Sequence, residues 1–241
     1  MRFYLLSWLC AAGFTLAQSP VGVWPQVPNP LIVTYGGQQI PVGSNVQKTT
    51  LGMFPQLGLP PGSVSNGQKF LFIMLDIDAN GAVVKVQQTG SYPTPSAAMP
   101  MASSIAAAAP SGAIAPDLQP ADPQHLGGAS THLMSMVQDF SFTTSLLGAT
   151  GGTYLAQGNN GPVPYIIPNP IGGHRYLMLL LDQPTGWSVP PAVQSLMDSR
   201  SEFDIRAFVN QSGLGVPRYG SWFVVVGDGK FPIPHHQPHH H

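Results

Sequence analysis

Two stretches of the chain are apolar without interruption where a half-buried strand would alternate. Residues 69–75 read KFLFIML and residues 174–181 read HRYLMLLL. Strand side chains point alternately to opposite faces, so unbroken apolar character predicts strands buried on both faces. Shorter strands are predicted at 31–35, closed by Gly36-Gly37, at 82–86 after the Asn80-Gly81 turn, at 132–142 and at 219–226. Two late segments, 190–200 and 201–209, read as short helices. In the second, Ser201 and Asp204 have capping-box spacing. Phe203, Ala207 and Phe208 share an inner face, and Gly213 supplies a stop. Strands dominate and the helices come late, which predicts an all-β chain: a β-sandwich of two antiparallel sheets with short peripheral helices.

Between these elements the chain is irregular. Residues 18–30 are proline-rich and predict an extended arm, and 161–170 form a second proline-rich stretch. A run of small residues broken by prolines, at about 87–122, reads as a surface insertion. The expected organisation of the 241 residues is a leader at 1–17, the arm at 18–30, one domain at 31–229 carrying the insertion, and a tail at 230–241.

Composition narrows the function classes. Charged residues make up 8% and the net charge is −1, against about a quarter charged in typical soluble domains. No basic block exists, which argues against nucleic acid as a partner. Gly (27) and Pro (26) are abundant, which favours strands and turns over a helical bundle. At the start, Arg2, the apolar stretch from Phe3 to Leu16 and Thr15-Leu16-Ala17 have the form of a signal peptide cleaved after Ala17. That implies a secreted protein. The alternative is an uncleaved anchor, but the apolar run is short for a membrane span and no later run is long enough, so no span is expected in the mature chain. Cys10 is the only cysteine and lies in this leader, so no disulfide is expected. Asn210-Gln211-Ser212 is a glycosylation sequon. The ending HHQPHHH is either an interrupted tag or a native metal-chelating tail.

Three constellations could carry chemistry. Asp76 and Asp78 end a buried strand, and two positions apart on an extended chain they would point the same way. The run from Asp76 to Gly81 also matches the start of a calcium loop, although Gln87 stands where a bidentate Glu is needed. Gly172-Gly173-His174-Arg175-Tyr176 opens the second buried strand. His174 and Tyr176 fall on one face and Arg175 on the other, beside glycine amides suited to an anion. His132 opens a strand of its own. A serine hydrolase would need a partner for His132, with Ser130 nearby, but no GxSxG is present. A metal-dependent hydrolase could use the two Asp and two His, but HExxH is absent.

These segments together resemble the phosphatidylethanolamine-binding protein (PEBP) family. The matching pieces, in family order, are Tyr35-Gly36-Gly37 and Val42-Gly43, Met74-Leu75-Asp76-Ile77-Asp78-Ala79, Thr131-His132-Leu133, and Gly172-Gly173-His174-Arg175-Tyr176-Leu177. A final piece, Phe203 to Phe223, holds Phe208, Gly213-Leu214-Gly215, Pro217, Gly220 and Phe223. The resemblance implies a PEBP-like β-sandwich with one cavity near its surface. That cavity would take a phosphate-like anion or a phospholipid headgroup, without enzymatic activity or a cofactor. The implied ligand-binding set is Asp76, Asp78, His132, Gly173, His174 and Tyr176. Asp78 and Arg175 would also pair behind the wall, and Phe223 would support it. Some members inhibit serine carboxypeptidases and others modulate kinases; export favours the protease as a partner. The chain departs from the family pattern at Ile77, Leu133 and Phe223, which stand where Pro, Trp and Tyr are usual, and the insertion is longer. A structural extracellular protein with a degenerate pocket is the alternative implied by those departures. Asp76 would hold a histidine protonated, so anion affinity is expected to fall above roughly pH 6.5.

Overall fold

The computed structural model describes residues 18–63, 67–79, 131–147, 152–158 and 161–228. The leader with Cys10, the strand expected at 82–86, the insertion at 87–122 and the tail at 230–241 lie outside the described residues.

Ten strands are formed among the described residues: β1 (Asn29–Pro30), β2 (Ile32–Tyr35), β3 (Gln38–Gln39), β4 (Asn45–Val46), β5 (Gln56–Leu59), β6 (Lys69–Asp76), β7 (His132–Leu147), β8 (Gly152–Ala156), β9 (Ile171–Gln183) and β10 (Tyr219–Asp228). They join in one hydrogen-bonded path, β1-β10-β9-β6-β7-β8-β5-β2-β3, with β4 also on β10. Pairing is antiparallel except where β1 and β4 lie parallel to β10.

The two unbroken apolar runs become β6 and β9, and they are neighbours. They pair from Lys69 opposite Gln183 to Asp76 opposite Tyr176. From Phe70 to Leu75 and from Tyr176 to Leu181 no residue is more than 1% exposed, so both faces are covered. Phe70, Phe72, Met74, Met178 and Leu180 pack in one apolar cluster with Val33 of β2, Leu57 and Leu59 of β5, and Leu155 of β8. The path therefore curls, bringing its far strands over its centre. The 16-residue β7 carries the curl, pairing with β6 as far as Ser141 and with β8 from Ser141 onward. On the other face, Leu71, Ile73, Leu75, Leu177, Leu179 and Leu181 pack with Val193, Met197, Phe203 and Phe208. Each such side chain contributes about 1.5–3 kcal/mol of burial.

That second face is closed by α1 (Gln194–Ser199) and α2 (Ile205–Ser212). The cap of α2 differs from the sequence expectation. Asp204 itself, not Ser201, is the N-cap: its carboxylate accepts from the Arg206 and Ala207 backbone amides at 2.9 and 3.0 Å. A carboxylate reaches two free amides at the positive end of the helix, which a hydroxyl three residues earlier cannot. The helix ends at Gly213, whose φ of 72° suits glycine.

The arm expected at 18–30 is bound down along its length. Val23 and Val27 are buried in the helix-side cluster. The Ser19 hydroxyl donates to Pro25 O at 2.6 Å, and the Val27 amide donates back to that hydroxyl at 3.2 Å. The Arg206 guanidinium lies over Trp24 at 5.2 Å. Strands β4, β5 and β8 were not legible beforehand. They are short, β5 and β8 contain glycine, and none shows a clear alternation.

Asp204→Ala should cost about 1 kcal/mol of stability in urea unfolding, the usual loss for a carboxylate N-cap. An unchanged midpoint would show that packing of Phe203 and Phe208 alone sets this helix.

Candidate functional site

The polar residues gather where the apolar strands end. Asp76 is the last residue of β6. In register it faces His132 of β7 on one side and Tyr176 of β9 on the other. His174 lies two residues before Tyr176 on the same face of β9, and its Nδ1 is 2.9 Å from Asp76 Oδ2. Both side chains are about nine-tenths buried. Asp76 Oδ1 also accepts the Asp78 amide at 3.0 Å.

The two carboxylates do not point the same way. The strand stops at Asp76, the chain bends, and Ile77 turns into the helix-side core, its amide donating to Arg175 O at 3.0 Å. Asp78 then meets Arg175 on the face opposite His174. It accepts from the Arg175 amide (2.8 Å), Nε (2.8 Å) and Nη2 (2.7 Å). This fork pairs both oxygens and is almost wholly buried. Asp78 is thus occupied by Arg175, away from Asp76. With Asp76 engaged by His174, the two acids that would begin a calcium loop serve two different partners. Among the described residues, no group of three or more His, Cys, Asp or Glu side chains is arranged to hold a metal ion.

Electrostatics separate the two histidines. The hydrogen bond to Asp76 raises the His174 pKa above its ordinary value, outweighing burial, and the charges of Asp76 and Asp78 add to the rise. His132 goes the other way. Burial lowers its pKa, Asp76 opposes this, and Arg200 lowers it further. The site therefore favours an imidazolium at His174 and shifts His132 toward its neutral form. Burial raises the Tyr176 pKa first, and then Asp76, through its charge and a hydrogen bond, holds the phenol protonated.

Phe223 of β10 supports this wall by stacking on Tyr176, with centroids 5.8 Å apart, and it meets Tyr35 edge-on at 6.0 Å. Gly172 takes φ 87°, and Gly173 is buried opposite Val226 of β10, adding no side chain beside His174. Sequence reasoning missed Tyr165, in the proline-rich segment 161–170. Its hydroxyl donates to Leu51 O at 3.1 Å and lies 3.4 Å from the Tyr35 hydroxyl. Burial pushes the Tyr165 phenol up to about 12. A lone aromatic hydroxyl among prolines was the available signal, and only the path of the loop gives it meaning.

Other nominated residues fall elsewhere. Ser130 lies outside the described residues. Ser201 Oγ is 3.4 Å from His132 Nδ1, but Asp76 is hydrogen-bonded to His174, so these groups do not form a Ser–His–Asp relay. Asn210 is exposed on α2, while Ser212 of its sequon is buried with its hydroxyl donating to Val209 O at 3.2 Å.

No protein-family model matches the chain. It is similar to the phomoidride biosynthesis cluster protein N of Talaromyces stipitatus, 33% identical over 88 residues. The match covers 34% of this chain and 44% of that protein, so the chain spans less than half the length of this relative. Among solved structures it is similar to a carboxypeptidase Y inhibitor complexed with its cognate proteinase, at 14% identity and a TM-score of 0.47, covering 84% of this chain and 85% of that one. A phosphatidylethanolamine-binding protein from Plasmodium vivax gives 12% and 0.44, covering 86% and 92%. One from Plasmodium falciparum gives 11% and 0.38, covering 85% and 90%.

Arg175→Ala should destabilise the protein by about 3–5 kcal/mol, because it strands the buried Asp78 carboxylate. Denaturation that matches the parent chain would show that Asp78 finds another partner and that the fork does not hold the site's wall.

Proposed function

We propose that the chain is a binding protein whose site, at the ends of β6, β7 and β9, takes a phosphate-like anion such as a phospholipid headgroup. The observation that carries this reading is the buried 2.9 Å contact between Asp76 and His174. An imidazolium held by a carboxylate keeps a charged donor in a semi-apolar recess, where an anion gains more from it than in water. In register His132 and Tyr176 flank Asp76, and glycines precede His174.

The pH dependence follows from the direction of the His174 shift. A raised pKa means that the charge is fully present below about pH 6.5, the ordinary histidine value, and is lost as pH rises through the shifted value. Glycerophosphoethanolamine, a phosphodiester of constant phosphate charge, should bind more tightly at about pH 5.5, below the ordinary histidine value, than at a pH above the shifted value. His174→Ala should weaken binding at the lower pH by roughly tenfold, the worth of one charge-assisted hydrogen bond. Calorimetry giving equal affinities at both pH values, or an unaffected variant, would remove this mechanism.

Inhibition of a serine carboxypeptidase, the partner implied by the sequence resemblance, belongs to the same reading. Excess protein should slow peptide hydrolysis by such an enzyme, and an unchanged rate would discard that partner.

A further inference from the structure

Arg200 sits beside this site in an unusual turn. Its φ is 55° with ψ −33°, and Glu202 has φ 56°. Side chains other than Asn and Asp rarely adopt this left-handed region. Between the two, Ser201 forms a β-bridge to His132. The Leu133 amide donates to Arg200 O at 2.8 Å, the Phe203 amide to Thr131 O at 3.3 Å, and the Thr131 hydroxyl to Phe203 O at 2.6 Å. The turn is thus clamped from both sides to the head of β7. Where shape alone mattered, glycine would take these angles at no cost. A strained residue held in place by its surroundings points to a side chain that has to be aimed.

Charge balance shows what that side chain adds. Asp76 and protonated His174 sum to zero, and so do Asp78 and Arg175. His132 is shifted toward its neutral form. An anion at this site therefore meets donors but no net positive charge from those five groups. Arg200 is half-buried, and its guanidinium makes one described hydrogen bond, from Nη1 to Pro164 O at 3.2 Å. This places it between the loop that carries Tyr165 and the strand that carries His132. Among the described residues it forms no ion pair, and exposed Glu202 does not neutralise it. A guanidinium carries donors beyond that one bond, and such a fork matches the oxygens of a phosphate.

We propose that Arg200 is the second anchoring cation of the site and gives it a preference for phosphomonoester dianions over phosphodiesters. This rests on the anion-site reading above. With His174 supplying one charge-assisted donor and Arg200 the uncompensated charge, the second negative charge of a monoester is recognised where a diester has none.

The test is calorimetry on the full chain at about pH 7, where a monoester is largely dianionic, with methyl phosphate and dimethyl phosphate as probes. The parent chain should prefer methyl phosphate. Arg200→Gln should weaken methyl phosphate by about tenfold, the loss of a charged anchor, and affect dimethyl phosphate far less. Arg200→Gly should lose the same selectivity while its thermal midpoint holds or rises, because glycine relieves the backbone; a merely structural arginine would give a lower midpoint and unchanged selectivity. Parent-like selectivity in Arg200→Gln overturns the inference and leaves the anion site standing. A parent chain that binds neither probe overturns both. Cosedimentation with phosphatidic acid vesicles, set beside methyl phosphate in solution, distinguishes a lipid-borne monoester from a soluble one, and selective binding of either supports the preference.

Discussion

Strands β6 and β9 pair over eight consecutive positions with apolar side chains on both faces, and this pairing dictates where polar groups can stand. A charged side chain in the middle of either strand would be buried without water, at a cost of several kcal/mol even when paired. Polar residues are therefore confined to the strand ends. Because the two strands run antiparallel, the last residue of β6 meets the first residues of β9. Asp76 and His174 are thus brought together by the same constraint that excludes charge from the interior.

At that shared end the two faces of the sheet are treated separately. The alternation of β9 sends His174 and Tyr176 toward the sandwich interior and Arg175 toward the helices. The bend after Asp76 lets Asp78 follow Arg175. The result is two carboxylate–cation pairs in one chain segment, on opposite faces of the sheet. Asp78 and Arg175 satisfy each other through three hydrogen bonds and fix the bend. Asp76 and His174 make one direct contact, and the Ile171 backbone also hydrogen-bonds the imidazole. The Asp78–Arg175 pair holds the bend that sets Asp76 beside His174.

The site also depends on segments far from either strand. Residues 161–170 bring Tyr165 against Tyr35 and Leu51, and the turn at Arg200 to Glu202 is pinned to β7. Phe223, where the family pattern has a tyrosine, keeps the aromatic wall by stacking on Tyr176 without adding a hydroxyl. Ile77, where the pattern has a proline, contributes an amide that Arg175 O accepts, which a proline could not. Both residues are buried in the packed interior.

Periodicity and residue type were enough to place the doubly buried strands, the late helices, the glycine stop at Gly213 and the split of His174 and Tyr176 from Arg175. All of these are set by neighbours along the chain, where side-chain direction follows from a fixed repeat. Short strands without alternation, the docking of residues 18–30, the parting of the Asp76 and Asp78 carboxylates and the placement of Tyr165 and Arg200 were decided only by tertiary structure. Each depends on contacts between residues distant in sequence, and on a bend or a left-handed turn whose cost is offset by partners that local pattern does not reveal.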